Sequence, residues 1–179
     1  TNPNNVYNIS TVSFRIIGKV QIDKPELAEG DWLVGDATKQ IKWTPTGNFS
    51  SVKIEGSRNA FDDELQLWPI NTVAAGTSGV QQTYNYSAGV ADQISNRTKI
   101  RISDADATRT ANVTDKSTDT FNVKGAIAVD LPTAGDIWYI GEVKTLQWTS
   151  VGTVGNVTLK LHDGTNWYNI SESTQTGLT

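Results

Sequence analysis

The chain of 179 residues contains no cysteine. Disulfides, thiolate metal sites and thiol nucleophiles are therefore excluded, although this absence does not fix the compartment. Histidine occurs once, as His162 in the turn sequence Leu161-His162-Asp163-Gly164. A zinc site needs several nitrogen or sulfur ligands and cannot be assembled from one histidine without cysteine. A lone turn histidine is far more often solvent-exposed than catalytic. No glycine-rich phosphate loop is present. No apolar run approaches the roughly 18 residues of a membrane span. There is no Lys/Arg cluster, and the net charge is −4 with a pI near 4.9. Nucleic-acid binding needs a basic footprint, so it is not expected. A signal peptide is also missing, as it is from mature secreted chains. These absences lead to the expectation of a non-enzymatic protein without cofactor or metal.

Carboxylates gather in two places, at Asp62-Asp63-Glu64 and at Asp104-x-Asp106 with Asp115 and Asp119 further on. Oxygen-only clusters on loops can hold calcium. The Asp104–Asp119 segment lacks the ligand count and glycine of an EF-hand loop, so it is expected to be a solvated loop.

What the chain does have is six tryptophans, in two sets that repeat. Trp32, Trp43 and Trp68 form one set; Trp138, Trp148 and Trp167 form the other. Pro25 followed by Gly30-Asp31-Trp32-Leu33-Val34-Gly35 reads against Pro132 followed by Gly135-Asp136-Ile137-Trp138-Tyr139-Ile140-Gly141. Ile41-Lys42-Trp43-Thr44 with Gly47 reads against Leu146-Gln147-Trp148-Thr149 with Gly152. Val52-Lys53-Ile54 reads against Val157-Thr158-Leu159. Ser10–Gly18 reads against Ser117–Gly125, so Phe14 and Ile16 take the places of Phe121 and Val123. An offset of about 105 residues marks a tandem array. Residues 1–19 are expected to be the last strand of a preceding module or a donor strand. Residues 20–126 are expected to form a complete module, and 127–179 an incomplete one.

Strand signals dominate. Runs of alternating apolar residues bounded by Gly, Pro, Asn and Asp predict strands near 19–23, 37–43, 50–57, 64–70, 80–87, 98–103 and 118–125. Seven strands in such a length suggest an all-β fold of tandem immunoglobulin-like β-sandwich modules. One buried face on successive strands would draw its core from Ile22, Ile41, Trp43, Val52, Ile54, Tyr84, Ile100, Ile102, Phe121 and Val123. Trp43 and Trp148 share a face with Ile41 and Leu146 and are expected in the core. Trp32 and Trp138 are expected to cover the end of the sandwich. Trp68 and Trp167 are read as packing residues, with stacking on a sugar ring as the alternative. Asn59–Glu64 is expected to form a short turn of helix and Val73–Gly79 a loop. The junction Phe121–Asp130 has no Ser/Gly/Pro linker, which predicts a semi-rigid rod.

Seven Asn-x-Ser/Thr sequons occur, at Asn8, Asn48, Asn85, Asn96, Asn112, Asn156 and Asn169, where composition alone gives about 3. The excess favours N-glycosylation in a secreted protein. Asn48, Asn96, Asn112 and Asn156 fall in predicted loops, while Asn85 faces away from the rings of Tyr84 and Tyr86.

The pattern Pro-x-x-Gly-x-x-Trp-x-x-Gly, an apolar-x-Trp strand, Gly, Val-x-apolar and Trp is followed here by Ile100-Arg101-Ile102-Ser103-Asp104 and Thr118–Val123. It resembles the KNH-like repeat, an immunoglobulin-like module of yeast cell-wall β-1,6-glucan assembly proteins. The region between Ile54 and Trp68 is enlarged relative to that pattern. The resemblance implies a secreted or cell-surface protein without catalytic activity of its own. The expected function is a structural subunit of an extracellular assembly, such as a filament, a pilus-like fibre or a surface layer. Its partners would be copies of itself, covalent N-glycans and cell-wall polysaccharide. Polymerisation would run head-to-tail by strand donation, with Phe14 and Ile16 entering the 127–179 module of the next subunit. The alternatives are a carbohydrate-binding module and an immunoglobulin-like spacer of a larger surface protein.

Overall fold

Alternation of apolar and polar residues shapes the strands of the computed structural model, which describes residues 10–26 and 29–170 and the backbone of 175–176. In β3 (Gln40–Thr46) Ile41, Trp43 and Pro45 are buried while Lys42 and Thr44 point away. In β4 (Ser51–Ser57) Val52 and Ile54 do the same, and in β7 (Ser95–Asp104) Ile100 and Ile102. A period of two places every second side chain on one face of a sheet. Between these run β1 (Lys19–Lys24), β2 (Trp32–Leu33), β5 (Leu67–Ala74), β6 (Gln82–Asn85), β8 (Thr114–Lys116) and β9 (Phe121–Lys124). The fold is all-β, and no α-helix forms among the described residues.

Two sheets result. One has the order β1-β3-β6; the other has the order β2-β9-β7-β4-β5, with β8 added alongside β7. Their inner faces share a core of Val20, Ile41 and Trp43 from the first sheet and Trp32, Val52, Ile54, Ile100, Ile102, Phe121 and Val123 from the second. Eight of the residues expected from alternation, namely Ile41, Trp43, Val52, Ile54, Ile100, Ile102, Phe121 and Val123, are buried. Ile22 and Tyr84 are half-buried against this core. Trp43 also satisfies its indole N–H, which donates to the Ala75 carbonyl at 3.1 Å.

Several local expectations are corrected. Trp32 does not cover an end: it pairs parallel with Val123, is fully buried, and packs on Phe121 at 4.5 Å between ring centroids. Val73 and Ala74 belong to β5 rather than a loop, because β4 offers them partners in Val52 and Ser51. Asn59–Glu64 forms no helix. Ala60 and Phe61 instead take left-handed backbone angles of 59° and 64°, and the Ser57 hydroxyl accepts the Phe61 N–H at 2.9 Å. A local side-chain acceptor thus wins over helical bonding.

The second half begins as a copy of the first. β10 (Ala126–Leu131) and β11 (Gln147–Val151) pair as β1 and β3 do, with Ala126 opposite Val151 as Lys19 is opposite Thr46. The register slips at the same point in both, between Ile22 and Lys24 and between Val129 and Leu131. Thr149 donates its hydroxyl to Asp130 at 2.7 Å, as Thr44 does to Asp23 at 2.8 Å. Beyond it, among the described residues, lie short ribbons: β12 (Asn156–Val157) with β15 (Gln175–Thr176), and β13 (Lys160–His162) with β14 (Trp167–Asn169). No residue between 127 and 170 is buried. Among the described residues no second sheet faces β10 and β11.

Candidate functional site

Three features set this molecule apart from a closed sandwich: an apolar groove, an exposed segment, and a close-packed junction. The groove occupies the second half. It is a cavity of about 650 Å³ whose lining includes Ile127, Val129, Trp138, Trp148, Leu159 and Trp167. Each of the first five has a counterpart in the first half, respectively Val20, Ile22, Trp32, Trp43 and Ile54. Those counterparts sit in or against the core of the first half, which also holds Ile100, Ile102, Phe121 and Val123. The groove therefore has the chemistry of a core without the residues that β7 and β9 supply in the first half. It can take apolar side chains presented at every second position of a strand. Trp148 is half-buried in it, while Trp138 and Trp167 are 41% and 66% exposed. Trp68, by contrast, is buried against Gly56.

The exposed segment is Ser10–Gly18. It joins no ladder among the described residues, although the repeat predicts a strand. The repeat-equivalent β9 is held by β7 on one side and β2 on the other, and the first half has both of those strands filled. Phe14 and Ile16 are consequently 76% and 89% exposed.

At the junction, β9 passes into β10 through Gly125 alone. Asp92, in the loop before β7, accepts the Thr153 backbone N–H at 2.7 Å and its hydroxyl at 2.6 Å. Sequence reasoning did not find Asp92. The only signal was the pairing of Gly125 with Gly18 and Gly152 with Gly47, which marks close backbone approach without naming what approaches.

The sequon asparagines Asn48, Asn85, Asn96, Asn112, Asn156 and Asn169 are all exposed. Asn48 and Asn112 lie in loops, as expected. Asn96 and Asn156 lie in strands instead. Asn96 falls where the β7–β9 register breaks between Ser95 and Thr98, and Asn156 begins β12. Asn85 accepts a hydrogen bond from Gln40 at 2.9 Å and points away from the buried Tyr86. Asn8 lies outside the described residues.

The carboxylate clusters do other work. Asp104 is buried rather than solvated, and Arg109 Nε donates to it at 2.6 Å. Burial opposes its ionisation, yet the Arg109 guanidinium and the Asp106 amide outweigh that and hold its carboxyl below the ordinary range. Asp62 pairs with Arg97, and Glu64 with Arg101, which also binds Glu55. Among the described residues no three acidic or histidine side chains converge as a metal site would require. His162 is exposed and stacks on Trp167 at 4.6 Å, and its Nδ1 accepts the Gly164 amide at 3.3 Å. Compared with known proteins, the chain matches no family model, no curated protein and no solved structure.

Proposed function

We propose that this protein is a non-enzymatic structural subunit of an extracellular assembly, built of tandem immunoglobulin-like modules and carrying N-linked glycans. The observation that carries the reading is the complementarity of its two exposed apolar features. One is a groove lined by apolar side chains whose counterparts in the first half sit in or against a closed core. The other is a segment with apolar residues at alternate positions, Phe14 and Ile16, in the places of the buried Phe121 and Val123. A strand of one subunit entering the groove of the next adds backbone hydrogen bonds and removes both apolar surfaces from water. In the first half, Val123 lies opposite Trp32 in a parallel pair. By repeat equivalence Ile16 would lie opposite Trp138. The contact is head-to-tail and propagates into a fibre unless the geometry closes a ring.

Deletion of residues 1–18 tests this. Electron micrographs and light scattering are expected to show loss of assembly, while the circular dichroism of the first half is retained. Normal polymerisation of the truncated protein would refute donation between subunits. Intact mass of the protein from its native source tests the glycans: at least two sequons are expected to be occupied, and a mass equal to that of the sequence rejects them.

A further inference from the structure

The two halves share one turn just after their first tryptophans. In the first half the Asp36 amide donates to the Leu33 carbonyl at 3.0 Å, and in the second the Glu142 amide donates to the Tyr139 carbonyl at 3.2 Å. Gly35 and Gly141 lie inside these turns with φ of 81° and 91°. The backbone therefore matches Trp32 with Trp138, Leu33 with Tyr139 and Asp31 with Ile137. The repeat of Ser10–Gly18 and Ser117–Gly125 likewise matches Arg15 with Asn122, Ile16 with Val123 and Ile17 with Lys124.

In the first half the parallel pair of β2 and β9 has an inner and an outer side. Trp32 lies opposite Val123 and both are buried; Leu33 lies opposite Lys124 and both are exposed. Charge holds the outer side. The Asp31 carboxylate accepts the Asn122 carboxamide at 2.6 Å and pairs with Lys124 at 2.5 Å. In the second half Ile137 takes the place of that carboxylate, and the preceding Asp136 accepts the Thr133 amide at 2.7 Å. Ile137 and Tyr139 are 70% and 69% exposed and join no ladder among the described residues. Ile17, in the place of Lys124, is 51% exposed. Both members of the ion pair are thus replaced by isoleucine. A change in one member alone would set a charge beside an apolar residue.

We infer that Ile137 and Tyr139 form an outer clamp for the Ser10–Gly18 segment of a second copy, with Ile17 opposite Tyr139 and diagonal to Ile137, an arrangement that rests on the strand donation proposed above. The donated strand is then held on both faces. Phe14 and Ile16 enter the groove from one side, and Ile17 is covered from the other. Arg15, opposite Ile137, lays its aliphatic stem along that side chain and keeps its guanidinium in water. The same exchange makes the groove selective. A strand of the β9 type has the same inner pattern, Phe121 and Val123, but would bring Lys124 beside Ile137 with no carboxylate to meet it. The groove therefore takes the 10–18 segment and rejects a copy of β9 by an unpaired charge.

The test is a charge exchange in the full chain. Light scattering and electron micrographs give the protein concentration at which assembly begins. Ile17→Lys and Ile137→Asp are each expected to raise that concentration about fivefold, the order of effect of one cross-strand pair. The double variant rebuilds the Asp31–Lys124 pair across the subunit boundary, and it is expected to return to within about twofold of the parent. A subunit that had failed to fold would not be rescued by a second substitution far away in the sequence. Single variants that assemble like the parent overturn the clamp, and so does a double variant that assembles no better than the single ones. Either result leaves strand donation standing. Normal assembly of the chain lacking residues 1–18 overturns donation and clamp together, so the two failures are distinguishable.

Discussion

At the scale of the residue, two positions carry more than their type suggests. Gly56 lies on β4 under Trp68, and a Cβ there would stand 2.1 Å from the indole. Only glycine admits the ring. Gly56→Ala is expected to destabilise the first half by about 2–3 kcal/mol through overpacking, read as a lower urea midpoint. Asp104 is the other. Its folded-state pKa is depressed, so its contribution is present above the unfolded value of about 3.9 and is lost as pH falls through the folded value. Arg109→Ala is expected to lower the urea midpoint at neutral pH, because a buried carboxylate loses its charged partner, by less than a fully buried pair would since nearly half of that partner's side chain is in solvent. Urea melts from pH 7 downward check the sign: the gap between variant and parent should shrink below about pH 4, where the parent loses the same contribution. A gap independent of pH would disprove the assignment. Neither role was legible in the sequence. Gly56 read as one strand residue among others, and Asp104 as part of a solvated acidic loop. Each depends on a residue distant in sequence or on a fold of the loop, and neither has a period to betray it.

At the scale of the element, legibility followed length. β3, β4 and β7 alternate over seven to ten residues, and their buried faces agree with the expectation. β2 and β8, of two and three residues, are too short to show a period and exist because β9 and β7 offer them partners. The two copies of one ladder allow a controlled comparison. Trp43 on β3 and Trp148 on β11 have the same register and the same neighbouring Thr–Asp bond. They differ in cover, for Trp43 is buried and Trp148 half-exposed. Trp43→Ala is expected to cost about 3–5 kcal/mol and Trp148→Ala less than about 1.5 kcal/mol. Urea unfolding of both variants measures the difference, and equal losses would mean that the groove around Trp148 is closed in solution.

At the scale of the molecule, the repeat read from tryptophan spacing reappears as a repeated backbone register, and the open groove lies in the half that the repeat marks as incomplete, whereas the Asp92 contact at the junction was signalled only by paired glycines. That shared register bears on how the chain folds. During folding β10 offers β3 the same hydrogen-bond pattern, bulge included, that β1 offers, and Ile127 and Val129 offer the same apolar face as Val20 and Ile22. Topological neighbours this alike compete for one site, and exchange between adjacent repeats is a characteristic failure of repeat proteins. A mispaired species with β10 on β3 is expected as a slow refolding phase whose amplitude does not depend on protein concentration. Val129→Lys, which spoils the apolar face of β10 without touching the first half, should remove that phase and leave the main one unchanged. Persistence of the slow phase in the variant would show that the two ladders never compete. The bulge that makes the modules interchangeable as building blocks is thus also what exposes each of them to capture by its neighbour before either is complete.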